Sequence, residues 1–200
     1  MPKIDTSSTE QVLPTSSQTV GPCYGYALAF CGGEDIAPLG HPETIIVHGF
    51  VLDGDGKPLP DALVEVWGPL TDGKVPQVDG SMRRDPATGD HLGRNGVEFT
   101  GWGRAQTDVD GHWYARTLRP GARGQNAPYL SVCVFARGLL VRLFTRIYLP
   151  GDEIALAADP LFTRVGGRRD TLIAGEEGPG AYRFDIRLQG EGETDFLEYK

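Results

Sequence analysis

The sequence predicts an all-β chain folded as a β-sandwich. Three observations lead there. Apolar residues come in short runs, and several runs alternate with polar residues at the period of a half-buried strand. The 200 residues include 28 glycines and 15 prolines, a density that favours turns over a helical bundle. One short stretch, 153–162, is the only fair helix candidate. Seven or so short strands with Gly/Pro turns and almost no helix are the pattern of two packed sheets.

Residues 1–18 read as an extended polar arm, and Gln18 to Gly40 as an irregular segment broken by Gly21-Pro22 and Gly32-Gly33. Residues 1–40 are therefore expected to be an N-terminal arm, and 41–200 the sandwich. TIIVHGFVLD (44–53) is β-branched and apolar and ends at the turn tetrad Asp53-Gly54-Asp55-Gly56. LVEVWG (63–68) alternates. Residues 69–101 form a long polar loop, and loops of that length in a compact domain are usually functional or meet a partner. RAQTDVDGHWYARTLRPG reads as strand, Asp-Gly turn, strand, turn. In PYLSVCVFA, Tyr129, Ser131, Cys133 and Phe135 share one face and Leu130, Val132 and Val134 the other. LLVRLFTRIYL (139–149) follows, with Arg142 and Arg146 on one face. AYRFDIRLQG (181–190) is the cleanest strand, with Tyr182, Phe184, Ile186 and Leu188 in line.

Composition narrows the function. A formal net charge of −8 makes nucleic acid an unsuitable partner. No apolar run approaches the length of a membrane span. The polar N-terminus lacks the apolar core of a secretion signal, so a cytoplasmic location is expected. Cys23, Cys31 and Cys133 form no CxxC pair and read as reduced thiols.

Local motifs are sparse. His41, His48, His91 and His112 are never two, three or four residues apart, so no single helix or strand presents two of them as a metal pair. His48, inside an apolar strand, and His112, beside a turn, read as structural. There is no GxSxG, P-loop or GxGxxG. Gln18-Thr19-Val20-Gly21-Pro22 is a compact turn after a floppy arm. Arg137, closing a strand before Gly138, reads by itself as a solvated or paired arginine.

The order of the pieces says more. SQTVGP, HGFVLDGDGKPLPDALVEVW, GRAQTDVDGHWYARTLRPG, TRIYLPGD and YRFDIRLQGEGET together resemble the intradiol ring-cleaving dioxygenases, from about Ser17 to the C-terminus. FARG and the closing FDIRLQGEGETDFLEY look like the α chain of the two-chain members. The resemblance implies an Ig/transthyretin-like β-sandwich with an extended arm, long loops and one short helix. It also implies non-haem Fe(III), held in the family by two tyrosinates and two histidines. The phenolates are hard anionic donors that favour iron(III), and the histidines come as His-x-His on one face of a strand.

This sequence departs from that pattern at each ligand. The His-x-His position falls on Tyr129-Leu130-Ser131, and the tyrosine expected after Arg119-Pro120-Gly121 falls on Arg123. No tyrosine lies between Tyr26 and Tyr114, so the upstream ligand is missing too. The resemblance thus implies no iron and no catalytic residue on this chain. Iron would sit on a partner β chain, within a heterodimer of a larger symmetric oligomer that takes a small aromatic substrate in aromatic catabolism through the β-ketoadipate pathway. It further implies that Thr19, Gly21, Pro22 and Arg137 line the partner's pocket, where arginine offers a planar fork to a substrate carboxylate. Two other readings stay open. One is a non-catalytic transthyretin-like binding module. The other is a self-sufficient metalloenzyme using the scattered histidines.

Overall fold

The computed structural model describes Ser16, Gln18, Gly21, Tyr24 and residues 28–198. Two sheets form the body, as expected for a sandwich. At the centre of the first is β1 (Thr44–Leu52). It pairs antiparallel with β6 (His112–Leu118) on one side. On the other it pairs parallel with β10 (Ala181–Arg183) and β11 (Ile186–Arg187), and β9 (Gly175–Gly178) lies outside β10. The second sheet is antiparallel, in the order β5 (Trp102–Gln106), β2 (Leu63–Trp67), β7 (Tyr129–Phe135), β8 (Leu143–Tyr148).

Alternation fills the space between the sheets. Val47 and Val51 of β1, Trp113 and Ala115 of β6, Val64 and Val66 of β2, and Leu130, Val132 and Val134 of β7 are all buried in one core. Ile36 and Ala37, from the irregular segment before β1, are buried in it as well.

The last predicted strand keeps its faces but not its continuity. Tyr182, Phe184 and Ile186 are buried in line, yet the strand divides into β10 and β11. Gly49 explains the break. A Cβ there would lie 2.0 Å from the Phe184 carbonyl oxygen, so only glycine admits the close approach. The ladder changes hands at this point. Phe184 N donates to His48 O at 2.7 Å, and Phe50 N donates to the Asp185 side chain at 3.0 Å.

The helix expected over 153–162 is two helices, α1 (Glu153–Ala158) and α2 (Pro160–Val165). Pro160 disfavours a helical residue before it, and Asp159 is extended at ψ 125°. Asp159 then caps α2, whose first residue is that proline. A 3-10 helix, Gly166–Leu172, and the strand β9 follow, neither foreshadowed by hydrophobic periodicity. Leu156, Leu161, Phe162 and Leu172 build a second, smaller core against Tyr148. The long loop 69–101 carries a small ribbon, β3 (Arg83–Arg84) paired with β4 (His91–Gly93).

Candidate functional site

Tyr129, Ser131 and Arg123 come together. Tyr129 and Ser131 point away from the sandwich core because Leu130 between them is fully buried in it. Ser131 lies opposite Trp67, and Trp67 opposite Trp102, so one end of the second sheet presents a row of large side chains. Two loops then fold over that end. Gly121 makes this possible, since a Cβ there would lie 2.3 Å from Gly73 N, and Gly121 N donates to Leu70 O at 3.0 Å. The result is a cavity of about 90 Å³ whose wall includes Trp67, Pro69, Thr100, Arg123, Tyr129 and Ser131.

The cavity has a positive flank. The Arg146 guanidinium carbon stands 4.0 Å over the Tyr129 ring, a cation–π contact, and its Nη1 donates to the Tyr148 hydroxyl at 3.0 Å. Burial works against the Arg146 charge. The Tyr148 hydrogen bond and the fields of Tyr148, Tyr129 and Asp159 outweigh it, so its pKa stays above the usual arginine value. Burial likewise pushes the Tyr148 phenol up. Asp159 anchors this corner. It is fully buried and accepts from Leu161 N at 2.8 Å, Ala127 N at 2.9 Å and the Tyr148 hydroxyl at 3.2 Å.

These residues do not fit a ferric ion. Arg123 brings a cation with no lone pair to offer where a phenolate is wanted, and Ser131 brings a neutral hydroxyl where an imidazole is wanted. Tyr129 alone is a phenol, and a guanidinium already covers its ring. Among the described residues no three His, Cys, Asp or Glu side chains converge as a metal site.

Arg137 lies at the opposite end of β7, roughly 20 Å from Ser131 at the strand rise of ~3.3 Å per residue. Its guanidinium pairs with Asp61. Asp61 has φ 66°, the sole left-handed backbone outside glycine among the described residues. It follows Pro60 in a turn, and aspartate tolerates that conformation better than most residues. Tyr24 is buried beside the pair; burial and the Asp61 carboxylate push its phenol up to about 12, against the pull of Arg137. Gly21 adopts φ 75°. Thr19 and Pro22 lie outside the described residues.

The histidines were less isolated than their spacing suggested. His48 Nδ1 and His112 Nε2 are 3.2 Å apart, and His48 Nε2 is 3.0 Å from Glu177 Oε2. They meet on the outer face of the first sheet, where His112 pairs with Phe50 and His48 with Tyr114. Local spacing missed the contact because it crosses strands 64 residues apart. His91 instead stacks on Phe30, with centroids 4.5 Å apart. Cys31 and Cys133 are free thiols, and burial pushes Cys133 up to about 12; Cys23 lies outside the described residues.

A family model described as dioxygenase matches residues 33–190. The chain is 37% identical over 204 residues to the protocatechuate 3,4-dioxygenase alpha chain of Burkholderia cepacia, covering 92% of this chain and 96% of the relative. It is 34% identical over 195 residues to the beta chain of the same name and organism, covering 82% and 77%. Among solved structures, the dioxygenase domain of a dioxygenase carbohydrate-binding fusion from Streptomyces sp. SirexAA-E superposes with a TM-score of 0.54. That match has 23% identity and covers 88% of this chain and 99% of that one, a likeness of fold.

Proposed function

Because the chain belongs to the intradiol dioxygenase family, we propose that it is the α subunit of a protocatechuate 3,4-dioxygenase. With an iron-bearing β chain it would cleave 3,4-dihydroxybenzoate between its hydroxylated carbons, using O₂, to 3-carboxy-cis,cis-muconate. The observation that carries this reading is the convergence of Arg123, Tyr129 and Ser131 on one cavity. The three positions that would bear metal ligands are brought together by the fold, yet none carries the ligand the family uses there. A chain so built keeps the scaffold and depends on a partner for the redox chemistry.

This chain's own contribution lies elsewhere, at the far end of β7. Arg137 pairs with Asp61, its side chain is 63% exposed, and a guanidinium offers a carboxylate a planar fork. Thr19, Gly21 and Pro22 would bring backbone to the same partner pocket. The non-haem Fe(III) is assigned to the partner β chain, and the two chains to a heterodimer within a larger symmetric oligomer. No helix among the described residues is long and apolar enough to cross a membrane, and we place the assembly in the cytoplasm.

Co-expression tests the reading. The chain should be made alone and together with a β chain, and iron content, visible tyrosinate-to-iron absorption and ring cleavage measured for each. Iron, colour and activity are expected only in the complex. Stoichiometric iron on the lone chain would overturn the assignment. A monodisperse lone chain that forms no complex would favour the binding-module alternative.

A further inference from the structure

Two histidines that have no task in the function proposed above stand close enough to share an ion. His48 of β1 and His112 of β6 lie on the outer face of the first sheet, with His48 Nδ1 3.2 Å from His112 Nε2. Zinc binds imidazole nitrogen at about 2.0–2.1 Å, so two nitrogens at that separation subtend about 100–106° at the ion. That is near the tetrahedral angle zinc prefers, and wider than the right angle of a square-planar or octahedral site.

A third residue arranges the lone pairs. Glu177 Oε2 lies 3.0 Å from the other His48 nitrogen, Nε2. A carboxylate accepts, so it fixes the His48 proton on Nε2 and leaves the Nδ1 lone pair facing His112, whose Nε2 donates to it. A carboxylate behind a ligating histidine is the outer-shell arrangement that orients imidazoles at metal sites. Phe50 steadies the other ring, meeting His112 edge-on with centroids 5.2 Å apart. Charge also suits a cation. Arg183, beside the pair, is taken up by Asp185 at 2.9 Å and approaches Glu177 Oε1 at 3.9 Å, so two carboxylates stand against one guanidinium. The His48 side chain is 24% exposed, which leaves it open to an ion from solvent.

We propose that His48 and His112 form a zinc site, with Glu177 behind His48 as its outer-shell carboxylate. The ion takes His48 Nδ1 and His112 Nε2, and water fills the remaining positions. The His112 proton passes from Nε2 to Nδ1 by way of solvent, so no charge is lost from the rings. Catalytic zinc uses three protein ligands; with two, this site is a clip between β1 and β6 rather than a reaction centre. It is distinct from the positions of the family's iron ligands, since Tyr129 and Ser131 lie on β7 of the second sheet.

The test is a calorimetric titration of the purified full chain, stripped of metal by a chelator, with Zn²⁺. Saturable binding of one ion per chain is expected, with a Kd on the order of 10–100 µM, since the protein supplies only two of the usual four ligands. Co²⁺ in its place should show the strong visible bands of a tetrahedral site, and Mg²⁺, which seeks oxygen ligands, should not bind. His48→Ala and His112→Ala should each weaken Zn²⁺ about tenfold or more, and Glu177→Gln about tenfold. His41→Ala, in the loop before β1, should change nothing. Saturating Zn²⁺ should raise the thermal midpoint of the unaltered chain, because it binds the folded state, and leave that of His48→Ala where it was. Circular dichroism of each variant separates lost binding from lost folding. Absence of saturable binding, full affinity in folded His48→Ala or His112→Ala, or an equal loss in His41→Ala would each overturn the proposal. The titration involves no partner, iron or oxygen, so its failure and a failure of the subunit assignment are distinguishable.

Discussion

At the scale of single residues, Arg137 shows how a neighbour restrains an exposed side chain. An exposed arginine normally samples many rotamers and gives little by itself. Here Asp61, held in a left-handed turn, grips one side of the fork. Losing a charged hydrogen bond to a substrate carboxylate costs about 1.5–3 kcal/mol, so Arg137→Ala should raise KM for 3,4-dihydroxybenzoate at least about tenfold in the complex. Iron content should stay unchanged. An unaltered KM would remove Arg137 from substrate binding. Sequence pattern alone left Arg137 an ordinary strand cap. The order of motifs implied a site role for it, and neither could show Asp61, because the pairing spans 76 residues. The His48–His112–Glu177 contact was hidden for the same reason.

At the scale of elements, two joints deserve testing. Asp159 serves three donors from three segments: α2, β8 and the loop before β7. Asp159→Ala removes a helix cap and leaves the Ala127 N–H and the Tyr148 O–H proton without their acceptor, while Arg146 still donates to the Tyr148 oxygen. The summed cost should be about 3 kcal/mol or more, read from denaturant midpoints; a loss under about 1 kcal/mol would mean water replaces the carboxylate. Gly49→Ala forces a methyl onto the Phe184 carbonyl and should destabilise the fold by about 1–3 kcal/mol. Both joints were only half legible in the sequence. The Asp-Pro step at 159–160 was visible and could have divided the helix. Gly49 was visible as a residue, but nothing near it announces that a chain 135 positions later crosses there.

At the scale of the molecule, alternation, turn density and helix poverty were enough for a sandwich, because strand period and Gly/Pro punctuation are local signals. The parallel pairing of β1 with β10 and β11 was not, since it joins the first strand to the last. The cavity was legible in part. Its three substituted positions were named from motif order, whereas Pro69 and Pro76 come from the long loop 69–101, which sequence marked as noteworthy without saying which end matters. One core runs between both sheets, and Trp113 sits in it. Thermal unfolding should therefore be a single cooperative transition, with tryptophan fluorescence and far-ultraviolet dichroism coinciding. An earlier dichroism step would show that the Tyr148 cluster melts on its own.

Arg123 also has a bearing on history. Suppose a descendant of this chain regained a histidine at position 129 or 131. The new imidazole would share its cavity with a guanidinium, and a cation beside a metal ion repels it. Neither reversion would confer a benefit until the arginine had gone as well, and an upstream phenol would still be wanting. Intermediate genotypes would gain nothing for selection to retain. On the function proposed above, Arg123 would make a division of labour between the two chains hard to undo, and such lineages are expected to drift further apart rather than back together.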